Sequence, residues 1–156
     1  MTWANSKIFR PFLADVLGNV SALDLDADTF HAALYNNSIT PDNDVTSANS
    51  AYNVGQWANT NEVIDVTNWV AGGRPLGTQS LNSATADVVF FDAADTAGGG
   101  TVTLSANHGC LVYDQSLATP VDNQGVCYNY FGGAQQVTGG TFTIVWHTNG
   151  VLRITL

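Results

Sequence analysis

The chain is expected to be mainly β, a single-domain β-sandwich or jelly-roll-like barrel with one short N-terminal helix. Three observations lead there. From Asp28 onward, runs of strand-forming residues alternate with turns rich in Gly, Asn and Asp. The segment Thr141 to Leu156 (TFTIVWHTNGVLRITL) reads as a hairpin about Asn149-Gly150. Only one segment, near the N-terminus, carries a helical period. A length of 156 residues gives room for one domain with a proper core, not for two of ordinary size. We therefore read 1–156 as one unit, with a helical segment at 1–19 and the sandwich at 28–156.

In the N-terminal segment, Ile8, Phe9, Phe12, Leu13, Val16 and Leu17 recur at three- and four-residue spacing, and Gly18-Asn19 is a stop signal. Pro11 fits if the regular helix begins near Arg10, because proline is tolerated in a first turn. Thr29 to Tyr35 reads as a strand, although Ala32-Ala33-Leu34 suits a helix equally. Asn36 to Trp57 reads as loop, with a turn starting at Ile39-Thr40-Pro41-Asp42 and a helical turn near Ser47 to Tyr52. Further strands are expected at Glu62–Val66, Leu76–Leu81, Asp87–Phe91, Thr101–Ser105, Gly109–Tyr113 and Val126–Phe131. In the last hairpin a type I′ turn would put Trp146 opposite Arg153, Ile144 opposite Thr155, His147 opposite Leu152 and Val145 opposite Ile154. Apolar groups then fall on both faces, so the hairpin is expected inside a sheet covered on two sides, with Leu156 docked.

Composition narrows the function. The chain is 45% hydrophobic and only 11% charged, so its polar surface must come from Asn, Thr, Ser, Gln and Gly. Its formal net charge is −9, with only Lys7, Arg10, Arg74 and Arg153 positive. Phosphate binding needs a basic stripe that this sequence lacks, so nucleic acid is not an expected partner, and acidic membrane surfaces are disfavoured likewise. No run is long and apolar enough for a membrane span, and no export signal is evident, so synthesis in the cytoplasm is expected. Cys110 and Cys127 flank a loop centred near Ala118-Thr119-Pro120. A symmetric register would set them opposite each other, geometrically suited to a disulfide, but cytoplasmic synthesis favours two buried, reduced thiols.

The candidates for chemistry each have a plainer reading. Asp24-Leu25-Asp26-Ala27-Asp28 resembles the start of a calcium loop. Thr29 and Tyr35 stand where such a loop needs Gly and Glu, so a solvated acidic turn is favoured. Asp92 and Asp95 are the one pair that could be nominated for acid–base chemistry, yet Asp commonly closes strands by accepting from nearby backbone amides. His31, His108 and His147 lie at no ligand spacing. No phosphate loop, dinucleotide fingerprint or nucleophile elbow occurs. We expect no enzyme, no cofactor and no metal. Aromatic residues remain: Trp57 and Trp69 are candidates for glycan contact by stacking. Trp3, Ile8, Phe9, Phe12, Tyr128 and Tyr130 are candidates for a subunit interface.

Several segments in order resemble a family of small structural proteins of tailed bacteriophages. They are Leu34-Tyr35-Asn36-Asn37, Thr40-Pro41-Asp42, Gly72-Gly73-Arg74-Pro75-Leu76 and Phe91-Asp92-Ala93-Ala94-Asp95. The second half continues with Leu111-Val112-Tyr113-Asp114, Tyr130-Phe131-Gly132-Gly133, Gly140-Thr141-Phe142-Thr143, Trp146 and Asn149-Gly150-Val151. The resemblance implies a virion component without catalytic residues, assembled in a bacterial cytoplasm with other capsid or tail subunits and with copies of itself. Two roles follow: a capsid decoration protein or a minor tail protein on the particle exterior. The absence of a heptad shaft or collagen-like repeat favours decoration. A carbohydrate-binding module for host adhesion is the alternative. With so few charges, the apolar N-terminal segment is expected to dock on a neighbouring subunit.

Overall fold

Strands that are apolar on both faces require cover on both faces, and that requirement organises this chain. The computed structural model describes residues 3–156. In chain order its elements are β1 (Lys7–Ile8), helix α1 (Arg10–Leu17), β2 (Phe30–Tyr35), the single-turn helix α2 (Ser47–Ser50), β3 (Arg74–Pro75) and β4 (Gly77–Asn82). There follow β5 (Val88–Ala94), β6 (Thr96–Ala97), β7 (Val102–Asp114), β8 (Gly125–Gly140), β9 (Thr143–Ile144) and β10 (Leu152–Thr155). They form a sandwich-like, mainly β fold. One sheet has the order β1-β8-β7-β2-β3, a second β10-β5-β4, and β6 and β9 pair separately.

The antiparallel register sorts side chains between two faces of the larger sheet. His31 pairs with Tyr113, Ala33 with Leu111 and Tyr35 with Gly109, and Leu111 in turn with Tyr128. This face is covered by the N-terminal segment and by the long connection from β2 to β3. The opposite face carries Phe30, Ala32, Leu34, Cys110 and Val112 and meets the smaller sheet, where Phe30 lies 5.2 Å from Phe91 between ring centroids. Hence β2 and the second half of β7 are buried almost continuously rather than at alternate residues.

Local signals worked well in the first third. Helix α1 starts at Arg10 with Pro11 in its first turn, and ends where Gly18 N–H donates to Ala14 O at 2.9 Å and Asn19 turns left-handed at φ 55°. Ile8 lies outside the helix, paired with Cys127 in β1. The helical turn near Ser47 is α2, and its cap Thr46 accepts from Asn49 N–H through Oγ1. Thr101–Ser105 and Gly109–Tyr113, read separately, are one strand. Glu62–Val66 forms no strand: Asp65 Oδ1 instead accepts from Thr67 and Asn68 N–H and closes a turn.

The final hairpin is a correction. β9 pairs with β6 and β10 pairs with β5, so the last two strands belong to different ladders. Gly150 N–H donates to His147 O at 2.7 Å, which makes Thr148 and Asn149 the central turn residues; only Gly150 has positive φ, at 86°. Two captures override the Asn-Gly signal. Val151 N–H donates to Phe91 O at 2.8 Å, and Trp146 N–H to Asp95 Oδ1 at 3.1 Å, pulling the flanks apart. His147 is exposed, not packed on Leu152, and the Leu156 side chain is 85% exposed although its N–H reaches Asp87 O.

The N-terminal segment is a second correction. Trp3, Phe9 and Phe12 are buried in the chain's own core, not offered to a neighbour. A Cβ on Gly109 would lie 2.4 Å from the Trp3 ring, so the sheet is hollowed to seat that side chain. Deleting residues 1–10 should therefore prevent cooperative folding, and Phe9→Ala alone should cost about 3–5 kcal/mol in urea denaturation. Gly150→Val should also lower the melting temperature clearly, since its φ is left-handed and a Cβ would sit 2.3 Å from Phe91 O. Asn149→Ala, at an ordinary turn position, should change it far less.

Candidate functional site

The aromatic candidates divide sharply. Trp57 and Trp69 are both 0% exposed, Trp57 against Tyr35 at 5.1 Å and Trp69 against Phe142 at 5.5 Å. Neither ring can stack on a sugar without unfolding the core, so the glycan-contact assignment is withdrawn for both. Tyr128 is buried as well, edge-on to Phe9 at 5.5 Å. Ile8 is half-buried. Of the interface candidates Tyr130 remains best placed, half-buried and stacked on Trp3 at 6.4 Å.

Tyr130 opens a surface valley that the sequence reading did not foresee. β1 covers β8 at Cys127 and Tyr128, and Tyr130 N–H donates to Ser6 Oγ at 3.0 Å; beyond that, among the described residues, β8 has a strand partner on the β7 side alone. The chain then turns back through Phe142 to Val145 beside that edge. Between them lies an open groove of about 430 Å³, lined by Tyr130, Phe131, Gln135, Phe142, Ile144 and Val145 among others. Val145 is 72% exposed at its rim. A smaller groove of about 210 Å³ continues past Asn129 and Trp146 towards Gly150. The first groove offers aromatic and aliphatic groups with the Gln135 amide and the Thr143 hydroxyl, and the second adds Ser6, Asn129, Trp146 and His147.

A half-buried polar knot was also missed. Glu62, the chain's only glutamate, accepts from Tyr52 Oη at 2.8 Å and from Gly72 N–H at 3.0 Å. Tyr113 Oη donates to Gly72 O at 2.8 Å, His31 Nδ1 lies 3.1 Å from the same oxygen, and Tyr52 stacks on Tyr113 at 4.7 Å. Burial raises the Glu62 carboxyl above its ordinary range, against the pull of the Tyr52, Gly72 and Gly73 bonds. Burial lowers the His31 imidazole. Every member is tied to its neighbours, so the knot joins the 50–73 connection to the sheet and presents no free nucleophile. A solitary glutamate in a charge-poor chain was the one available signal.

The remaining candidates are structural in their contacts. Asp92 Oδ1 accepts from Ala93 N–H and Asp95 Oδ1 from Trp146 N–H. Cys110 and Cys127 are buried free thiols, and the ladder sets Cys110 opposite Asn129 and Cys127 opposite Val112 rather than opposite each other. Burial pushes the Cys127 thiol up to about 12, which keeps it protonated and unreactive at neutral pH. Among the described residues, no three His, Cys, Asp or Glu side chains converge to hold a metal, and no helix is long and apolar enough to cross a membrane. The described residues form a sandwich-like β domain with an open, aromatic-lined groove beside the edge of β8. No protein-family model, curated protein or solved structure matches the chain.

The knot gives a stability test. A carboxyl raised in the folded state binds its proton more tightly there than in the unfolded chain, so its stability contribution is lost as pH rises above the ordinary 4.5. Glu62→Gln should flatten that part of the stability–pH curve. Tyr52→Phe should cost about 1.5–3 kcal/mol at neutral pH, the worth of a hydrogen bond to a charged group. Urea titrations across the pH range read both.

Proposed function

We propose that this chain is a non-enzymatic structural subunit of a tailed-bacteriophage particle, an accessory protein on the exterior, as capsid decoration or minor tail protein. The observation that carries the reading is the valley along the free edge of β8. Long unpaired strand edges are normally shielded, because their N–H and C=O groups template pairing with another chain. Here the edge runs beside Tyr130, Phe131 and Phe142, and exposed Val145 extends the apolar rim. An aromatic centre with amide neighbours and few charges suits a neighbouring virion subunit or a second copy of this chain. The same composition gives little purchase for nucleic acid, and the two tryptophans first considered for glycans are unavailable to one.

Incorporation into particles tests this. Labelled protein should co-sediment with virions of the encoding phage, and imaging should place the label on the capsid for decoration or on the tail for the other role. Tyr130→Ala combined with Val145→Asp should abolish co-sedimentation while leaving the melting temperature within a few degrees. Failure of the wild-type protein to join any particle, with Tyr130-dependent binding to a host glycan, would replace this reading by adhesion.

A further inference from the structure

Of the four Lys and Arg side chains in this sequence, two meet at one groove. Lys7 and Arg153 both line an open groove of about 270 Å³. It brings together the terminal strands of both sheets: β1 ends the order of the larger and β10 that of the smaller. Its floor is apolar, formed by buried Cys127, Val151 and Leu152 and half-buried Ile8. Exposed Lys7, Arg153, Ser6 and Asn149 stand at the rim, and no Asp or Glu lines the groove. The smaller groove past Asn129 shares Ser6, Asn129 and Gly150 with it, so the two adjoin.

Neither cation has a carboxylate of its own. Among the described residues the one ion pair joins Arg10 to Asp44. Arg153 donates to Asn149 Oδ1 at 2.8 Å, a neutral acceptor that leaves the guanidinium charge uncompensated. The chain has 13 Asp and Glu and brings none of them to this pair. Cations at the rim of an apolar floor are complementary to a segment that alternates acidic and apolar residues, which an extended chain presents to opposite sides. A small anion would leave the apolar floor uncovered. A phosphate backbone needs a longer basic stripe than two side chains make. A two-fold contact between copies would set the same cations against each other.

We propose that this groove docks an extended acidic segment of a partner protein, with its apolar side chains on Ile8 and Leu152 and its carboxylates at Lys7 and Arg153. The net charge of −9 does not oppose this. Exposed charges are largely screened beyond about 8 Å at physiological ionic strength, so the charges that line the groove decide, and those are positive.

The test presents the full chain to a displayed library of random short peptides. Recovered peptides should be enriched in Asp and Glu at alternate positions. A recovered peptide, synthesised with a fluorescent label, should bind by polarisation and weaken as salt rises. Lys7→Gln combined with Arg153→Gln should weaken it about tenfold, the worth of two exposed ion pairs. Both side chains are exposed, so the melting temperature should hold. Arg153→Gln alone should show a smaller loss, and Lys7→Arg, which keeps the charge, should bind as the wild type does. The proposal is overturned by recovered peptides without an acidic bias, by binding that the double variant retains, or by a loss in Lys7→Arg equal to that in the double variant. It is overturned also by self-association in sedimentation that the double variant abolishes, which would make a second copy the occupant. None of these readouts involves a phage particle, so this proposal and the virion role fail separately.

Discussion

The structure depends on the packing around one indole ring. Trp57, carried on a 3₁₀ turn (Gly55–Trp57), is fully buried. Trp3, Phe9, Tyr35 and Tyr128 approach it with ring centroids 5.1–6.0 Å away. Those residues come from the N-terminal segment, β2 and β8, so one ring joins three distant parts of the chain to the face of the larger sheet. Its Nε1 has no hydrogen-bond acceptor, a loss of about 1–3 kcal/mol. Four aromatic pairs at about 0.5–1.5 kcal/mol each, beyond the burial itself, offset that loss. The packing wins, and Tyr35 adds a hydrogen bond from its hydroxyl to Trp57 O.

That arrangement separates the interior from the open groove. The face of the larger sheet that carries Tyr35 and Tyr128 is closed by the chain's own first third, and the other face by the smaller sheet. What stays open is an edge, where β8 outruns β1 and where Phe142 to Val145 fold back beside it. An apolar protein with few charges has thus buried most of its large aromatic side chains, while Tyr130, Phe131, Phe142 and Trp146, each half-buried, gather along this groove. The polar knot about Glu62 works in the opposite direction: it places a carboxylate under the connection that covers the sheet, with each oxygen held by a donor.

Much of this architecture was legible in the sequence, and the failures share a cause. Pro11 and Gly18-Asn19 marked α1 correctly because their effects are local backbone effects. The β7–β8 hairpin was legible because apolar runs met at a turn. Asn149-Gly150 misled because partners far away in sequence, Phe91 and Asp95, captured the flanking backbone more firmly than the turn could hold it. Trp57 and Trp69 misled because no local pattern tells a stacking platform from a core anchor. The valley could not be read, because it exists only where two strands of unequal length end beside each other.

The pairing of β1 with β8 also bears on when this chain can acquire its structure. Ser6 Oγ accepts from Tyr130 N–H across 124 residues of sequence, and Lys7 lies opposite Tyr128. During synthesis the first segment therefore leaves the ribosome with its docking strand still untranslated. Trp3, Phe9 and Phe12 must travel in a nascent chain that cannot yet bury them. A topology of such high contact order folds slowly and largely after release. Until β8 arrives, those aromatic groups are available to chaperones and to neighbouring nascent chains.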